Sequence, residues 1–374
     1  MAGLVAEVAL LMRERRALKP MGGQLITPFT LGNRAAVLRL RKEGTPAYPV
    51  VGPSQFGLRK YPVAEPGSVV FPLGGISRTM THLCAADGRE VRYVSDDFGF
   101  ANPRGLWSRP VRLVLIGDSF VHGICVPEQS QIPAGIRRIE PATLSLGIVG
   151  AGPLAQLAML REYAAALRPA RILWFFYEGN DVEELAAEKI SPLRAYLDSG
   201  YSQGLSRLQD SIDGVLRRYA DSVLATGVRL PPIRNELPEL FLLPRVRLAV
   251  ASVAANAPGM SAHPEFPLLE KVLLAAQRET SSWGGEIVMV YLPDYHRFDR
   301  TTMTFAGWVH NNDEIHRRAI GAARAAGMRV IDVSASFAAD PNPRRFWPTP
   351  TSHYGPEGYE LVVRTVAEAL STMD

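Results

Sequence analysis

Lysine is scarce in this chain of 374 residues: five positions carry it, so the net charge of +4 is borne almost wholly by arginine. No dense basic run appears, and aromatic residues do not interleave with basic ones. The charge therefore reads as a solvated surface, and a nucleic-acid partner is excluded. Long apolar runs are missing as well, so no segment reaches the length of a membrane-crossing helix. The opening MAGLVAEVALLMRERR has a short apolar stretch, but Glu7 interrupts it and no small-residue cleavage site follows. It reads as an amphipathic helix rather than a signal peptide. The alternative is the stump of an anchor, which would associate the chain with a membrane through its N-terminus.

Cysteine occurs twice, as Cys84 and Cys125, with no CxxC pair. A zinc site is not expected. Two separate buried thiols are the default expectation, and a disulfide between them, which needs an oxidising compartment, is the alternative. His296 and His310 lie near Asp294 and Asp313 but lack the spacing of a metal pair, so no metal is expected. GxGxxG is absent from the first strand–helix turn, which removes the usual dinucleotide signature. No GxSxG follows any of the strand-like runs, which argues against an α/β-hydrolase nucleophile elbow. No cofactor is implied.

Composition otherwise describes a globular protein able to bury a full core, with 47% hydrophobic residues. Residues 1–108 are rich in Pro and Gly, with short apolar runs such as SVVF and REVRYVS, and read as a β-rich or irregular extension. From 109 to 374 strands alternate with helices. The strands are VRLVLIG, TLSLGIV (143–149), RILWFFYEG (171–179), GEIVMVYLP (285–293) and MRVIDVS (328–334). Helical spacing marks 153–168, the stretch from Phe266 to Ala276, 316–327 and 355–370, the last with Pro356 suited to its first turn. This alternation predicts about five parallel strands between two helical layers, a three-layer α/β/α sandwich. Residues about 182–262 hold no clear strand and read as a helical insertion; its role as a lid, a dimer face or plain elaboration stays open, as does the oligomeric state.

In such a sheet, whatever follows each strand shares one rim. After the first strand comes Gly117-Asp118-Ser119, with Ser119 either a nucleophile or the cap of the next helix. After the second come Gly150 and Gly152, opening a helix whose backbone N–H groups point outward. After the third come Gly179, Asn180 and Asp181. His353 stands just ahead of the last helix. A serine, an imidazole and convergent donors are the parts that acyl transfer needs.

The four pieces GDS, the glycine after the second strand, GND and the late histidine resemble the SGNH (GDSL-type) hydrolase superfamily, over roughly residues 110–374. The flanking DDFGFANPRGLW and WFFYEGNDVEEL resemble bacterial SGNH-like proteins associated with envelope or exopolysaccharide functions. The resemblance implies an SGNH/flavodoxin-like fold and a serine esterase. Ser119 is then the nucleophile and His353 the base; the N–H groups of Ser119 and Gly150 with the Asn180 side chain form the oxyanion hole. It also implies a carbohydrate or other small ester as substrate, an acyl-accepting sugar if the chain is an O-acetyltransferase, or a non-catalytic carbohydrate-binding protein. The compartment is the envelope or periplasm if an anchor precedes, and otherwise the cytoplasm.

One position departs from the family pattern. The aspartate expected two or three residues before the histidine is replaced by Thr351 or Pro350. Asp332 or Asp340 can serve instead, a backbone carbonyl can accept from the imidazole in a Ser–His dyad, or the site is crippled; the dyad or carbonyl version is the favoured reading. Asp118 and Asp181 are expected to bond loop backbone. His122 is expected on a partly exposed helix face. Phe346, Trp347, Tyr354 and Tyr177 are either a sugar-stacking wall or core.

Overall fold

The computed structural model describes residues 28–53, 61–62, 69–86, 89–226, 264–299, 312–349 and 353–373. The opening residues 1–16, residues 227–262 of the insertion, His310, Pro350 and Thr351 lie outside them. The described part begins with helix α1 (Pro28–Lys42), which the reading of an irregular extension did not include. Short strands follow: β1 (Ala47–Pro49), β2 (Tyr61–Pro62), β3 (Val69–Val70), β4 (Met80–Ala86) and β5 (Arg89–Val94). β1, β4 and β5 form a small sheet, with a bulge between His82 and Cys84. α1 packs Val37 and Leu40 against Ala47 of this sheet, burying them.

The larger sheet is built from β6 (Leu113–Ile116), β7 (Thr143–Ser145), β8 (Arg171–Tyr177), β9 (Glu286–Leu292) and β10 (Arg329–Asp332), in the order β10-β9-β8-β6-β7. Every pairing in it is parallel. Its strands are apolar on both faces because both faces are covered. Val114, Ile116, Ile172, Trp174 and Met289 pack on one side; Leu113, Leu115, Leu173, Phe175 and Val288 pack on the other. This alternation of side chains along each strand separates two cores. The helices between the strands are α2 (Ser119–His122), α3 (Ile132–Arg137), α4 (Pro153–Met159), α5 (Asp181–Glu188), α6 (Gln209–Thr226), α7 (Phe266–Ser281) and α8 (Asn312–Ala325), and α9 (Ser334–Ala338) and α10 (Pro356–Ser371) follow the last strand. α4, α7 and α8 cover the first face, α3 and α10 the second. The result is the three-layer α/β/α sandwich expected from the alternation.

Two departures are informative. The second strand is regular only over Thr143–Ser145 and forms the edge of the sheet. The helix expected over 153–168 is α-helical only to Met159 and then widens into a π turn over Leu160–Ala164. Within that turn buried Glu162 accepts hydrogen bonds from the Tyr196 hydroxyl and from the backbone N–H of Leu205, tying the turn to a loop far along the chain.

Candidate active site

The strand order places β6 between β7 and β8, so the order in which the chain adds strands reverses at β6 while all strands stay parallel. Ligands in open α/β sheets bind where such a reversal parts the loops. Ser119 follows β6 and Asn180 follows β8, and the two loops flank that reversal.

Ser119 opens α2, and the cap of that short helix is Asp118, whose carboxylate accepts from the Phe120 N–H at 2.9 Å. The serine hydroxyl is thereby released from capping. Gly117 is required just before, since a Cβ there would lie 2.5 Å from the Val121 side chain. Gly123 ends the helix in the left-handed region at φ 76°, which glycine adopts without strain.

The imidazole of His353 reaches this hydroxyl across 234 residues of chain, with Nε2 2.7 Å from Ser119 Oγ. The second contact of the hydroxyl, to Asp118 Oδ2, is longer at 3.3 Å. His353 is held by its neighbours: the Tyr354 hydroxyl donates to the Pro293 carbonyl at 2.6 Å and the Gly355 N–H to the Phe346 carbonyl at 2.7 Å. Its ring lies 4.5 Å from that of Phe120, which in turn stacks on Tyr177. Burial lowers the His353 pKa to about 4, so the ring is neutral at ordinary pH and offers Nε2 as an acceptor. Burial pushes Asp118 up to about 6, against the hydrogen bonds from Phe120, Ser119 and Asn180 that favour its ionised form.

Gly150 sits in the left-handed region at φ 69°, which turns the chain from Val149 toward α4. Two neighbours hold this loop. On one side the Val149 N–H donates to His122 Nδ1 at 3.3 Å. On the other, a Cβ at Gly152 would come within 2.7 Å of Glu184 Cβ, so the loop presses on α5. Asn180 is the residue at the start of α5; its side chain makes no capping bond and its Nδ2 donates to Glu184 Oε1 at 3.1 Å. Asp181 accepts from the Tyr177 N–H at 3.0 Å, a loop bond of the kind expected for it.

The carboxylate candidates lie elsewhere. Asp332 ends β10, three strand spacings from β6 and so roughly 14 Å away across the sheet. It is taken by His316 Nε2 at 2.6 Å and by the N–H of Ser334 at 3.0 Å. Asp340 pairs with Arg345 at 2.8 Å. Among the described residues, no carboxylate makes a hydrogen bond or ion pair with His353. The two family positions for that aspartate, Pro350 and Thr351, lie outside the described residues.

Other expectations are corrected by packing. His122 is buried, not partly exposed; its Nε2 meets the Tyr93 hydroxyl at 2.9 Å, and burial lowers its pKa to about 3. Cys84 and Cys125 are not separate thiols but a disulfide, with Cα atoms 5.3 Å apart. Phe346, Trp347, Tyr354 and Tyr177 belong to the second core and do not form an open wall. His296 donates its ring N–H to Asp294 at 2.8 Å, and that carboxylate raises its pKa. Among the described residues, no cluster of three or more His, Cys, Asp or Glu side chains has the arrangement of a metal site.

Sequence reasoning missed the carboxyls behind the rim. Glu178, fully buried, takes the Tyr291 hydroxyl at 2.7 Å, the Asp294 N–H at 2.9 Å and the Arg297 guanidinium. Glu188 accepts from the N–H groups of Leu154 at 2.8 Å and Ala155 at 3.3 Å, capping α4 from another helix. The signal for this second set was present: Asn180, Glu184 and Glu188 recur at four-residue intervals, which puts them on one helix face.

No family model matches the chain, and no curated protein matches it. Solved structures similar to it include a lipase/acylhydrolase from Enterococcus faecalis, 14% identical, covering 70% of this chain and 96% of that one at a TM-score of 0.37. A GDSL-like lipase from Bacteroides thetaiotaomicron is 10% identical and covers 71% of this chain and 91% of its own, at a TM-score of 0.39. A GDSL-like lipase from Parabacteroides merdae is 11% identical, covering 70% and 96%, at 0.39. The architecture of this chain rests on its own sheet order and layers.

Proposed function

We propose that this chain is a serine ester hydrolase of the SGNH type, removing a small acyl group, acetyl foremost, from a carbohydrate or another small ester. One observation carries the reading: the 2.7 Å contact between His353 Nε2 and Ser119 Oγ. The neutral imidazole takes the hydroxyl proton as Oγ attacks the ester carbonyl. The N–H groups of Ser119 and Gly150 and the Asn180 amide stabilise the oxyanion, each donor contributing about 3 kcal/mol to the transition state. Collapse expels the alcohol, which receives the proton from His353. Water, activated by the same imidazole, then releases the acid and frees Ser119.

With no carboxylate on His353 among the described residues, Ser119 and His353 work as a dyad. The imidazolium formed in the transition state then lacks the charge partner that a triad supplies, so turnover is slower than in a triad enzyme. The Cys84–Cys125 disulfide supports a place in an oxidising compartment.

The test is purified protein with p-nitrophenyl acetate and a fluorophosphonate probe. Turnover and labelling in the native protein, both lost in Ser119→Ala, support the enzyme; neither in the native protein sinks it in favour of a binding module. Mass spectrometry after adding sugar acceptors reads whether water or a sugar hydroxyl takes the acyl group.

A further inference from the structure

We infer that Glu184 is a positioning residue for the oxyanion donor, holding the Asn180 amide by an N–H bond from the α5 side so that the amide stays between Glu184 and Asp118, beside Ser119. This inference rests on the serine-hydrolase reading of the site and names a residue that the reading does not include.

Three observations carry it. Asn is favoured at helix starts because its side chain accepts from the helix's own first N–H groups. Asn180 occupies that position in α5 and makes no such bond; its Nδ2 instead donates to Glu184 Oε1 at 3.1 Å, one turn along the same helix. The amide is thus held not by capping but by Glu184, with Asp118, the neighbour of Ser119, on its other side.

The same helix face also holds the loop that carries Gly150. Glu184 Cβ is the closest atom to where a Gly152 side chain would begin, at 2.7 Å. Glu188, a further turn along, binds the N–H groups of Leu154 and Ala155. The side-chain donor and the backbone donor of the proposed oxyanion hole are therefore referenced to one wall.

The state of Glu184 suits the task. Its Oε2 is buried with no hydrogen-bond partner, so among the described residues nothing competes for the carboxyl. Burial, with Asp118, Glu188 and Glu183 close by, raises its pKa well above the usual range, which favours the neutral acid. A neutral acid accepts through its carbonyl oxygen without adding negative charge beside the oxyanion, where a carboxylate would oppose it.

The experiment is steady-state kinetics on p-nitrophenyl acetate with the full chain, comparing Glu184→Met, Glu184→Gln, Asn180→Ala and the Glu184→Met/Asn180→Ala double variant, with a thermal melt of each. The native protein and Ser119→Ala are run alongside: no turnover by the native protein overturns the hydrolase reading itself, and this inference with it. Given turnover, Glu184→Met is expected to lower kcat by about ten- to a hundredfold with KM within about threefold. Glu184→Gln, which restores a neutral acceptor, recovers most of that loss. In the Asn180→Ala background Glu184→Met costs no further activity, because its effect passes through the amide. Losses that multiply in the double variant, or a Glu184→Met enzyme with native kcat, overturn the positioning role while leaving the hydrolase reading intact. If Glu184→Met does not fold, the Gln variant decides alone: a loss as large as that of Asn180→Ala overturns the inference, and near-native kcat supports it.

Discussion

The Tyr93 hydroxyl lies 2.9 Å from His122 Nε2, and this contact joins the N-terminal sheet to the helix that begins with Ser119. Because His122 Nδ1 accepts the Val149 N–H, the proton of the neutral ring sits on Nε2 and is donated to the phenol oxygen. The pair thus links β5, through one imidazole, to the residue preceding Gly150. A Cβ at Gly52 would lie 2.0 Å from the Val149 carbonyl oxygen, so the N-terminal segment also presses on that loop directly.

Substitutions at His122 separate the two bonds. His122→Asn keeps an acceptor near the place of Nδ1, whereas His122→Gln replaces Nε2 only. We expect the Gln variant to lose about tenfold in kcat through a misplaced Gly150 N–H, and the Asn variant clearly less. Steady-state kinetics with p-nitrophenyl acetate reads the difference; equal losses would show that the Val149 bond has no part in catalysis.

The pH profile should carry its acid limb well below the ordinary histidine value. His353 must be neutral to accept the serine proton, and its pKa is lowered to about 4. kcat/KM is therefore expected to rise with pH through about 4 and to be flat across the usual imidazole range near 6.5. A limb at 6.5 or above would mean that a negative group supports the imidazolium after all. The same shift has a sign for stability. Both His353 and His122 have folded pKa values below that of free histidine, so the unfolded chain takes up protons first as pH falls below about 6.5. Stability is retained above that pH and lost progressively toward 4, which urea melts at stepped pH will show.

Reduction should loosen the surroundings of Ser119. The Cys84–Cys125 bond closes a separation of 41 residues, and loop-closure entropy assigns such a crosslink about 4 kcal/mol. Cys125→Ser is expected to lower the melting temperature by several degrees at least, and dithiothreitol to have the same effect on the native protein alone. Identical melts with and without reductant would show that the crosslink stabilises nothing.

Asp332→Asn should leave kcat near the native value, because that carboxylate serves His316 and Ser334 at the far edge of the sheet. Its effect belongs to stability. The folded pKa of Asp332 is lowered, against its burial, by hydrogen bonds from Ser334 and His316, so its contribution is present at neutral pH and disappears as acid protonates it. A hundredfold loss of kcat in this variant would contradict the geometry and restore Asp332 as the missing acid.

Much of the architecture could be read locally. A strand buried on both faces announces itself as an unbroken apolar run, as in the RILWFFY of β8, and a helix by its spacing, as in α10 behind Pro356. The turn residues around Ser119 are equally local, since Gly117, Asp118 and Gly123 each answer a steric or capping demand set within a few residues. The order of Ser119, Gly150, Asn180 and His353 along the chain was therefore visible before any distance was known.

What remained was decided by strand order and burial, which are properties of the whole chain. Asp332 ends one strand and Ser119 follows another, but the sheet sets β10 and β6 three spacings apart, and charge pairing does not act across that width of packed side chains. His122 looked like a partly exposed helix residue until Tyr93 of the small sheet met it, and the disulfide between Cys84 and Cys125 was only one of two readings until the fold set them together. Local patterns are written in short-range sterics; pairings between distant residues exist only after hydrophobic burial has fixed which surfaces meet.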